Sequence, residues 1–166
     1  MKTLDFVPVF DTIAAAQLRE HCLGKDAYEL LAEMFQWYSP FESFCEGIKS
    51  TDDSLIVATN PNEEAIPHLV GVSLMSFGNR HAEETLTTKP QAVIEKLVVD
   101  SYLRSRGIGE QLLERSAQLA TVRGFSSVWI QPRTPRNRRY YQRNGYNNKL
   151  PFSSMMQKSL HADTQD

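Results

Sequence analysis

The chain has 166 residues with 41% apolar content, which suits one globular domain over residues 1–166 and excludes a disordered or fibrous protein. No apolar stretch approaches the length of a membrane span, and Asp5 interrupts the segment where a secretory signal would need an apolar run. We therefore expect a cytoplasmic protein with no membrane partner.

The net charge of −2 hides an uneven distribution. Residues 1–88 hold 5 Lys and Arg against 14 Asp and Glu, a charge of −9, while residues 89–166 hold 13 against 6, a charge of +7. A basic second half suits an anionic cofactor, and an acidic first half suits a cationic second substrate. The acidic half also argues against a nucleic-acid partner.

The first half of the chain predicts a strand, two helices, a hairpin and a loop. Asp11 can cap the first helix and Gly24 can end it, and Asp26 and Glu29 form a capping-box pair for the second helix. The hairpin is predicted by two runs rich in β-branched residues on either side of a turn-type linker. The predicted elements are a strand at 4–9, helices at 11–22 and 26–38, strands at 54–59 and 68–77, and a loop at 78–89.

The second half alternates strands and helices. Its first strand is apolar except for Glu95 and Lys96, as is typical of a central strand covered on both faces. Gly124 ends the helix that follows. The predicted elements are strands at 92–99, 126–130 and 152–160, helices at 110–123 and 135–143, and a fraying tail at 161–166. The order β-α-α-β-β-β-α-β-α-β predicts a mixed α/β fold.

Cysteine and histidine spacing gives no sign of a metal site. The two cysteines, Cys22 and Cys45, have neither metal-type spacing nor the density of a disulfide framework, and the four histidines are scattered. We expect no bound metal, and we expect both cysteines to be small buried apolar residues, with a catalytic cysteine as the alternative.

The turn at residues 104–109, Arg-Ser-Arg-Gly-Ile-Gly, has the composition of a phosphate-binding turn between a strand and a helix. Its two glycines let the backbone approach a ligand, and the first amides of the helix attract an anion. Glu110 and Gln111 stand where a Walker loop needs Lys and Ser or Thr, and Leu112 stands where the dinucleotide fingerprint needs its third glycine. Those two classes of phosphate-binding protein are therefore excluded.

With Leu97-Val98-Val99 before it, this turn resembles the acyl-CoA-binding motif of the GNAT superfamily of N-acetyltransferases. Residues 140–146, Tyr-Tyr-Gln-Arg-Asn-Gly-Tyr, resemble the family's second signature on the last helix. The resemblance covers residues 90–160 and implies a central mixed, twisted sheet flanked by helices. It also implies an N-acetyltransferase that binds acetyl-CoA on residues 89–160 and the acceptor mainly on residues 1–88, with direct attack of an amine on the thioester.

The resemblance further implies which residues contact acetyl-CoA. The backbone of the strand end would pair with the pantetheine arm, and the turn would hold the diphosphate. Thr134 occupies a position where the family usually has Asn, and Asn137 is a candidate substitute. An arginine cluster on the last helix could reach the 3′-phosphate. The expected contacts are Leu97, Val98, Val99, Arg104, Ser105, Arg106, Gly107, Ile108, Gly109, Glu110, Thr134, Asn137 and Tyr141, and the arginines are Arg133, Arg136, Arg138, Arg139 and Arg143.

Two residues are candidates for proton transfer. Glu95 interrupts an apolar strand, where desolvation makes a carboxylate a stronger base, and several members of the family carry a Glu at that place. The alternative is that Glu95 only pairs with a neighbouring cation. Tyr141 occupies the family position of the general acid, where a phenol can protonate the departing thiolate of CoA. Its alternative role is core packing.

The acceptor is the least specified part of the hypothesis. The aromatic segment 35–44 could form one wall of the acceptor pocket, with Glu42 or Glu46 attracting a cationic amine, or it could pack its rings in the core. We expect a small cationic amine, with a protein N-terminus or lysine as alternatives. Two other functions stay open, a non-catalytic acyl-CoA-binding module and a toxin that acetylates aminoacyl-tRNA. A homodimer is one candidate assembly.

Overall fold

The computed structural model describes residues 6–48, 52–62, 68–150 and 153–160. The strands are β1 (Val9–Ala14), β2 (Ser54–Thr59), β3 (Leu69–Gly78), β4 (Gln91–Val99), β5 (Ser127–Ile130) and β6 (Met156–Ser159). The helices are α1 (Gly24–Phe35), α2 (Phe41–Ile48), α3 (Ala82–Thr85), α4 (Ile108–Val122) and α5 (Pro135–Arg143), with short 3-10 turns at Ala15–Gln17 and Ser101–Leu103.

All six strands form one sheet whose spatial order follows the chain from β1 to β6. Neighbouring strands are antiparallel except β4 and β5, which are parallel and are connected through α4. Helix α4 covers one face, where it packs on Ile56 and Met75. Helices α1 and α2 cover the other face around Leu55 and Val57. This arrangement confirms the expected mixed α/β fold, and the two covered faces explain the continuous apolar run of β2.

The elements predicted for the start of the chain, a strand at 4–9 and a helix at 11–22, are wrong for the residues that the structure describes there. A strand, β1, occupies Val9–Ala14 and pairs with β2, so Asp11 lies in a strand and does not cap a helix. The alanines after it resemble a helix by propensity, yet pairing with β2 decides their conformation. Gly24 begins α1, where the sequence suggested a helix stop. A Cβ at Gly24 would lie 1.9 Å from the carbonyl oxygen of Leu18, so the close approach of the preceding turn requires glycine.

The other elements agree with the sequence to within a few residues, with three differences. The second predicted helix is α1, which ends where Gln36 adopts a left-handed conformation (φ 53°), and a separate helix, α2, follows. The predicted loop 78–89 contains the one-turn helix α3. The last strand is shorter than the predicted span, whose residues 151–152, like the tail 161–166, lie outside the described residues.

The feature that positions the site is the separation of β4 from β5. Only Ala92, Val93 and Ile94 of β4 have partners in β5, although β4 continues to Val99. At the same point the pairing of β4 with β3 shifts, so that Leu74 faces Lys96 and Met75 faces Ile94. Glu95 is therefore the extra residue of a β-bulge at the start of the separation.

Candidate active site

The separation of the two strands leaves one edge of β4 open. Beyond Ile94 no residue of β4 pairs with β5 in the described part of the chain. The alternation of β4 places Leu97 and Val99 on the face of α4, while Val98 packs in the cluster under α1. An open strand edge offers backbone donors and acceptors to an extended ligand, as a further strand would. The pantetheine arm of CoA has amide groups that match such an edge.

The turn after β4 is shaped to present backbone amides. Ser105 (φ 61°) and Gly107 (φ 84°) both adopt the left-handed conformation, and Gly107 is the N-cap of α4 without any side-chain cap. Successive amides around left-handed residues form a concave anion site, and the start of the helix adds its dipole. The Arg104 guanidinium donates to the carbonyl oxygen of Val99 (3.3 Å), which anchors the turn to the end of β4.

A cavity of about 460 Å³ lies between this turn, the open edge of β4 and α5. A Cβ at Gly109 would lie 2.6 Å from the Tyr140 hydroxyl, so a larger residue there would displace the Tyr140 side chain from its place on the cavity wall. The residues that line the cavity are Leu97, Val99, Leu103, Arg104, Ser105, Gly107, Ile108, Gly109, Glu110, Arg136, Asn137, Tyr140, Tyr141 and Arg143. A basic, amide-rich cavity beside an open strand fits the phosphates and arm of acetyl-CoA.

Ten of the thirteen predicted cofactor contacts line this cavity, and three do not. The side chain of Val98 is buried on the opposite face of the sheet, although its backbone belongs to the open edge. Arg106 lies in the turn outside the lining. Thr134 caps α5, because its hydroxyl accepts a hydrogen bond from the Asn137 backbone N–H (3.1 Å). Asn137 itself lines the cavity, as do Arg136 and Arg143 of the arginine cluster.

Three tyrosines of α5 and its end pack against one another beside the cavity. The Tyr141 ring centroid lies 5.5 Å from that of Tyr140 and 6.1 Å from that of Tyr146. Tyr141 is 8% exposed, and burial raises its pKa from the ordinary 10.0 while the positive charge of Arg133 opposes the rise. A phenol with a raised pKa keeps its proton at neutral pH, so Tyr141 can act as a proton donor on the cavity wall.

Glu95 lies outside the cavity lining and in a polar cluster that the sequence did not predict. Its Oε1 accepts a hydrogen bond from the Ser76 hydroxyl (2.5 Å) and lies 2.6 Å from His81 Nε2 and 3.6 Å from Arg80 Nη1. Because an ionised carboxylate only accepts, His81 Nε2 carries the proton in this contact. None of the described residues donates a hydrogen bond to Oε2 of Glu95, which leaves that oxygen available for a ligand or water.

Arg80 connects Glu95 to a buried acid. Asp53, immediately before β2, is 2% exposed and contacts Arg80 Nη2 at 3.4 Å. The cluster of Asp53, Ser76, Arg80, His81 and Glu95, hereafter the acidic cluster, therefore draws on β4, β3 and the loops beside them. Glu95 does pair with neighbouring cations, as one alternative held, but they come from the loop after β3.

Four rings of the aromatic segment 35–44 pack against the core under α1 and α2, namely Phe35, Trp37, Phe41 and Phe44, whereas Tyr38 is exposed. The rings of Tyr28, Trp37 and Phe44 have centroids 5.0–6.4 Å apart. Glu42 is exposed on α2, and Glu46 forms an ion pair with Arg19 (2.9 Å). The structure thus pairs Glu46 with a cation of its own chain.

The cysteines differ from each other. Cys45 is buried in the cluster under α2, as expected, and burial raises the pKa of its thiol. Cys22 is exposed, so the expectation that both are buried is wrong for Cys22. Among the described residues no group of three or more His, Cys, Asp and Glu side chains could hold a metal ion. No helix in the described ranges is long and apolar enough to cross a membrane.

Comparison with known proteins identifies the family. The model of the acetyltransferase (GNAT) family matches residues 19–146. No curated protein matches significantly.

Among solved structures, an aminoglycoside acetyltransferase (meta-AAC0020) from an uncultured soil metagenomic sample, in complex with sisomicin, matches with a TM-score of 0.63 and 19% identity. The match covers 82% of this chain and 86% of that chain. The aminoglycoside acetyltransferase AAC(6')-Iy, in complex with a bisubstrate analogue, matches with a TM-score of 0.64 and 15% identity over 86% and 93% of the two chains. A ribosomal-protein-alanine N-acetyltransferase from Brucella melitensis biovar Abortus 2308 matches with a TM-score of 0.59 and 19% identity over 87% and 94%.

These structures share the fold, and the family match covers more than half of the chain. The chain therefore belongs to the GNAT family and is an acetyltransferase.

Proposed function

We propose that this protein transfers the acetyl group of acetyl-CoA to the primary amine of a small molecule, by direct attack within a complex of both substrates. The observation that carries the proposal is the cavity between the open edge of β4, the turn before α4 and Tyr141. That cavity follows the unpaired part of β4 at Leu97 and Val99. An amine arriving from the α1 face would meet the thioester there.

Acetyl-CoA binding rests mainly on the backbone. In the proposal the open edge of β4 pairs with the pantetheine arm, and one of its N–H groups polarises the thioester carbonyl. The amides around Gly107 and Gly109 hold the diphosphate, and the guanidinium groups of Arg104, Arg136 and Arg143 supply charge at the cavity wall.

Tyr141 serves as the general acid in the proposal. A phenol with the ordinary pKa of 10.0 already holds its proton at neutral pH, and burial raises the pKa of Tyr141 further. When the C–S bond of the tetrahedral intermediate breaks, the sulfur of CoA leaves as a thiolate with an ordinary thiol pKa of about 8.5. Proton donation from the Tyr141 hydroxyl to that sulfur as the C–S bond breaks neutralises the developing thiolate, and the phenolate then recovers a proton from solvent.

Glu95 serves as the general base in the proposal. An amine with an ordinary pKa of about 10.4 is charged at pH 7, and removing its proton costs roughly 4–5 kcal/mol. The contacts of Ser76 and His81 to Oε1 fix the Glu95 carboxylate, and Oε2 can accept the proton directly or through a water molecule.

The acceptor is a small amine, which is cationic until it loses its proton. This choice is supported by the acidic cluster beside the strand separation, whose two carboxylates share the one guanidinium of Arg80, and by the aminoglycoside ligands of two of the similar structures. A protein N-terminus is the alternative acceptor, because one similar structure is named as a ribosomal-protein-alanine acetyltransferase.

The test is an acetyl-CoA consumption assay with polyamines, aminoglycosides, free amino acids and peptides with free N-termini or lysines. Tyr141→Phe should lower kcat about 10²-fold or more with little change in the Kd of acetyl-CoA, because the phenol acts in the chemical step. Tyr102→Phe is the matched control, since Tyr102 is 84% exposed and does not line the cavity.

Three outcomes would contradict the proposal. Calorimetry that detects no acetyl-CoA binding would remove the cavity assignment. Binding without turnover on any amine would indicate the non-catalytic module. Equal turnover by the wild type and Tyr141→Phe would remove the acid.

A further inference from the structure

Two cations meet on one aromatic ring at the separation of the strands. Lys96, on the unpaired part of β4, holds its ammonium nitrogen 4.8 Å from the centroid of the Phe35 ring. Arg133, three residues after the end of β5, holds its guanidinium carbon 5.5 Å from the same centroid. Phe35 is the last residue of α1 and packs in the cluster under it. The three residues therefore lie on the α1 face of the sheet, hereafter the acceptor face, where β4 and β5 separate.

Neither cation has an acidic partner among the described residues. No carboxylate oxygen in that part of the chain lies within 4.0 Å of Lys96 or Arg133. Burial and the nearby charge of Arg133 lower the pKa of Lys96, whereas Glu95 opposes this more weakly. Two like charges held together in this way cost free energy in the empty protein, and a bound anion removes that cost.

The phosphates of CoA do not account for this pair. Other cations, Arg104, Arg136 and Arg143, line the cofactor cavity, and Lys96 and Arg133 do not. The charge of Arg133 nevertheless reaches Tyr141, where it opposes the rise in pKa that burial causes. Lys96 follows Glu95 directly in the chain. The pair therefore lies beside the two groups proposed to transfer protons and apart from the site of the diphosphate.

We propose that Lys96 and Arg133 bind a carboxylate of the acceptor, so that the acceptor is an amino acid or another small amine that carries a carboxylate. The inference rests on the proposed function and narrows its acceptor. The ammonium group of such a molecule faces Glu95, and its carboxylate faces the cation pair. The Phe35 ring contacts both cations, and Lys96 is half-buried while Arg133 is exposed, so a ligand can reach the pair.

The test compares acceptors that differ only in this charge. The standard amino acids, β-alanine and 4-aminobutyrate are each assayed beside their carboxamides, and the readout is the ratio of kcat/KM for the acid to kcat/KM for the amide. For the best acceptor the wild type should favour the acid at least tenfold, because the amide leaves the two cations without an anion.

The variants assign that preference to the pair. Lys96→Gln and Arg133→Gln should each lower the acid-to-amide ratio at least tenfold, mainly through the KM of the acid. Arg133→Lys should fall between the wild type and Arg133→Gln, since it keeps the charge and loses the planar fork. Lys89→Gln, which removes an exposed lysine of the loop before β4, should keep the wild-type ratio.

The outcomes separate this inference from the function on which it rests. Acetylation of acids and amides at equal rates, or an unchanged ratio in both glutamine variants, overturns the carboxylate site and leaves the acetyltransferase intact. No acetylation of any amine by a protein that binds acetyl-CoA overturns the proposed function itself. Thermal unfolding of every variant checks that a lost preference does not come from a lost fold.

Discussion

The two faces of the separating strands use different kinds of chemical group. On the face of α4 the proposed acetyl-CoA site consists largely of backbone, from the open edge of β4 and the turn that leads into α4. On the face of α1 the proposed acceptor site consists of side chains, the acidic cluster on one side and the pair of Lys96 and Arg133 on the other. A backbone site depends on glycines and a conformation, whereas a side-chain site depends on individual charges. Substitutions on the two faces should therefore produce different kinetic defects.

Glu95→Gln should give the largest kinetic difference between the two faces, a loss of kcat without a loss of acetyl-CoA affinity. The amide keeps the size and a hydrogen-bond acceptor but cannot take the amine proton, so kcat should fall about 10²-fold. The Kd of acetyl-CoA should stay within about twofold, because Glu95 does not line the cavity. Stopped-flow or steady-state assays and calorimetry measure the two quantities.

Glu114→Gln is the matched control, since Glu114 is exposed, lies outside the cavity lining, and contacts the ammonium of Lys158 at 3.8 Å and the Gln118 amide at 3.4 Å. A parallel loss of acetyl-CoA affinity in Glu95→Gln would show that the two faces are not independent.

Gly109→Val should give the opposite defect. The Cβ of a valine there would lie 2.6 Å from the Tyr140 hydroxyl and 3.7 Å from the Val99 side chain. The Tyr140 side chain or the ligand would therefore have to move away from the start of α4. We expect the Kd of acetyl-CoA to rise about tenfold or more, which corresponds to about 1.4 kcal/mol.

Gly47→Val is the comparison for Gly109→Val, because Gly47 also lies in a helix and a Cβ there meets nothing within 4 Å. Unchanged acetyl-CoA affinity in Gly109→Val would mean that the turn does not hold the diphosphate.

His81→Asn should have a smaller effect on the acceptor face. His81 fixes Oε1 of Glu95 together with Ser76, so its loss leaves one strong contact and a longer one from Arg80. We expect kcat to fall about tenfold, with the acetyl-CoA Kd unchanged, because positioning contributes less than the base itself.

The structure offers a matched histidine for this experiment. His21→Asn removes a comparable contact, from His21 Nε2 to a carboxylate oxygen of Asp11 at 3.1 Å, together with the hydrogen bond that His21 Nδ1 accepts from the Leu23 backbone N–H (3.1 Å). If both variants lost the same activity, the effect would be a general loss of stability.

The same difference explains how much of the site could be predicted from the sequence. The turn at 104–109 and the signature at 140–146 are contiguous, so their glycines and tyrosines reveal the cofactor side directly. The acidic cluster joins Asp53, Ser76 and His81 to Glu95 through pairing of β2, β3 and β4, and no local pattern reports that pairing. The bulge that separates Ile94 from Lys96 is likewise a property of two strands together, and the conformation of β1 depends on its pairing with β2.

Tyr146→Phe should give the smallest effect, because the three tyrosines beside the cavity have different tasks. The Tyr146 hydroxyl is buried and has no hydrogen-bond partner among the described residues. Its removal should leave the free energy of unfolding unchanged or raise it by up to about 1 kcal/mol at pH 7. Burial also raises the pKa of Tyr146 above the ordinary 10.0, so above pH 10.0 the unfolded chain loses this proton first and the folded state loses stability as pH rises. In urea unfolding, the advantage of Tyr146→Phe should therefore grow above pH 10.0. A variant less stable than the wild type at pH 7 would mean that the hydroxyl contributes to packing after all.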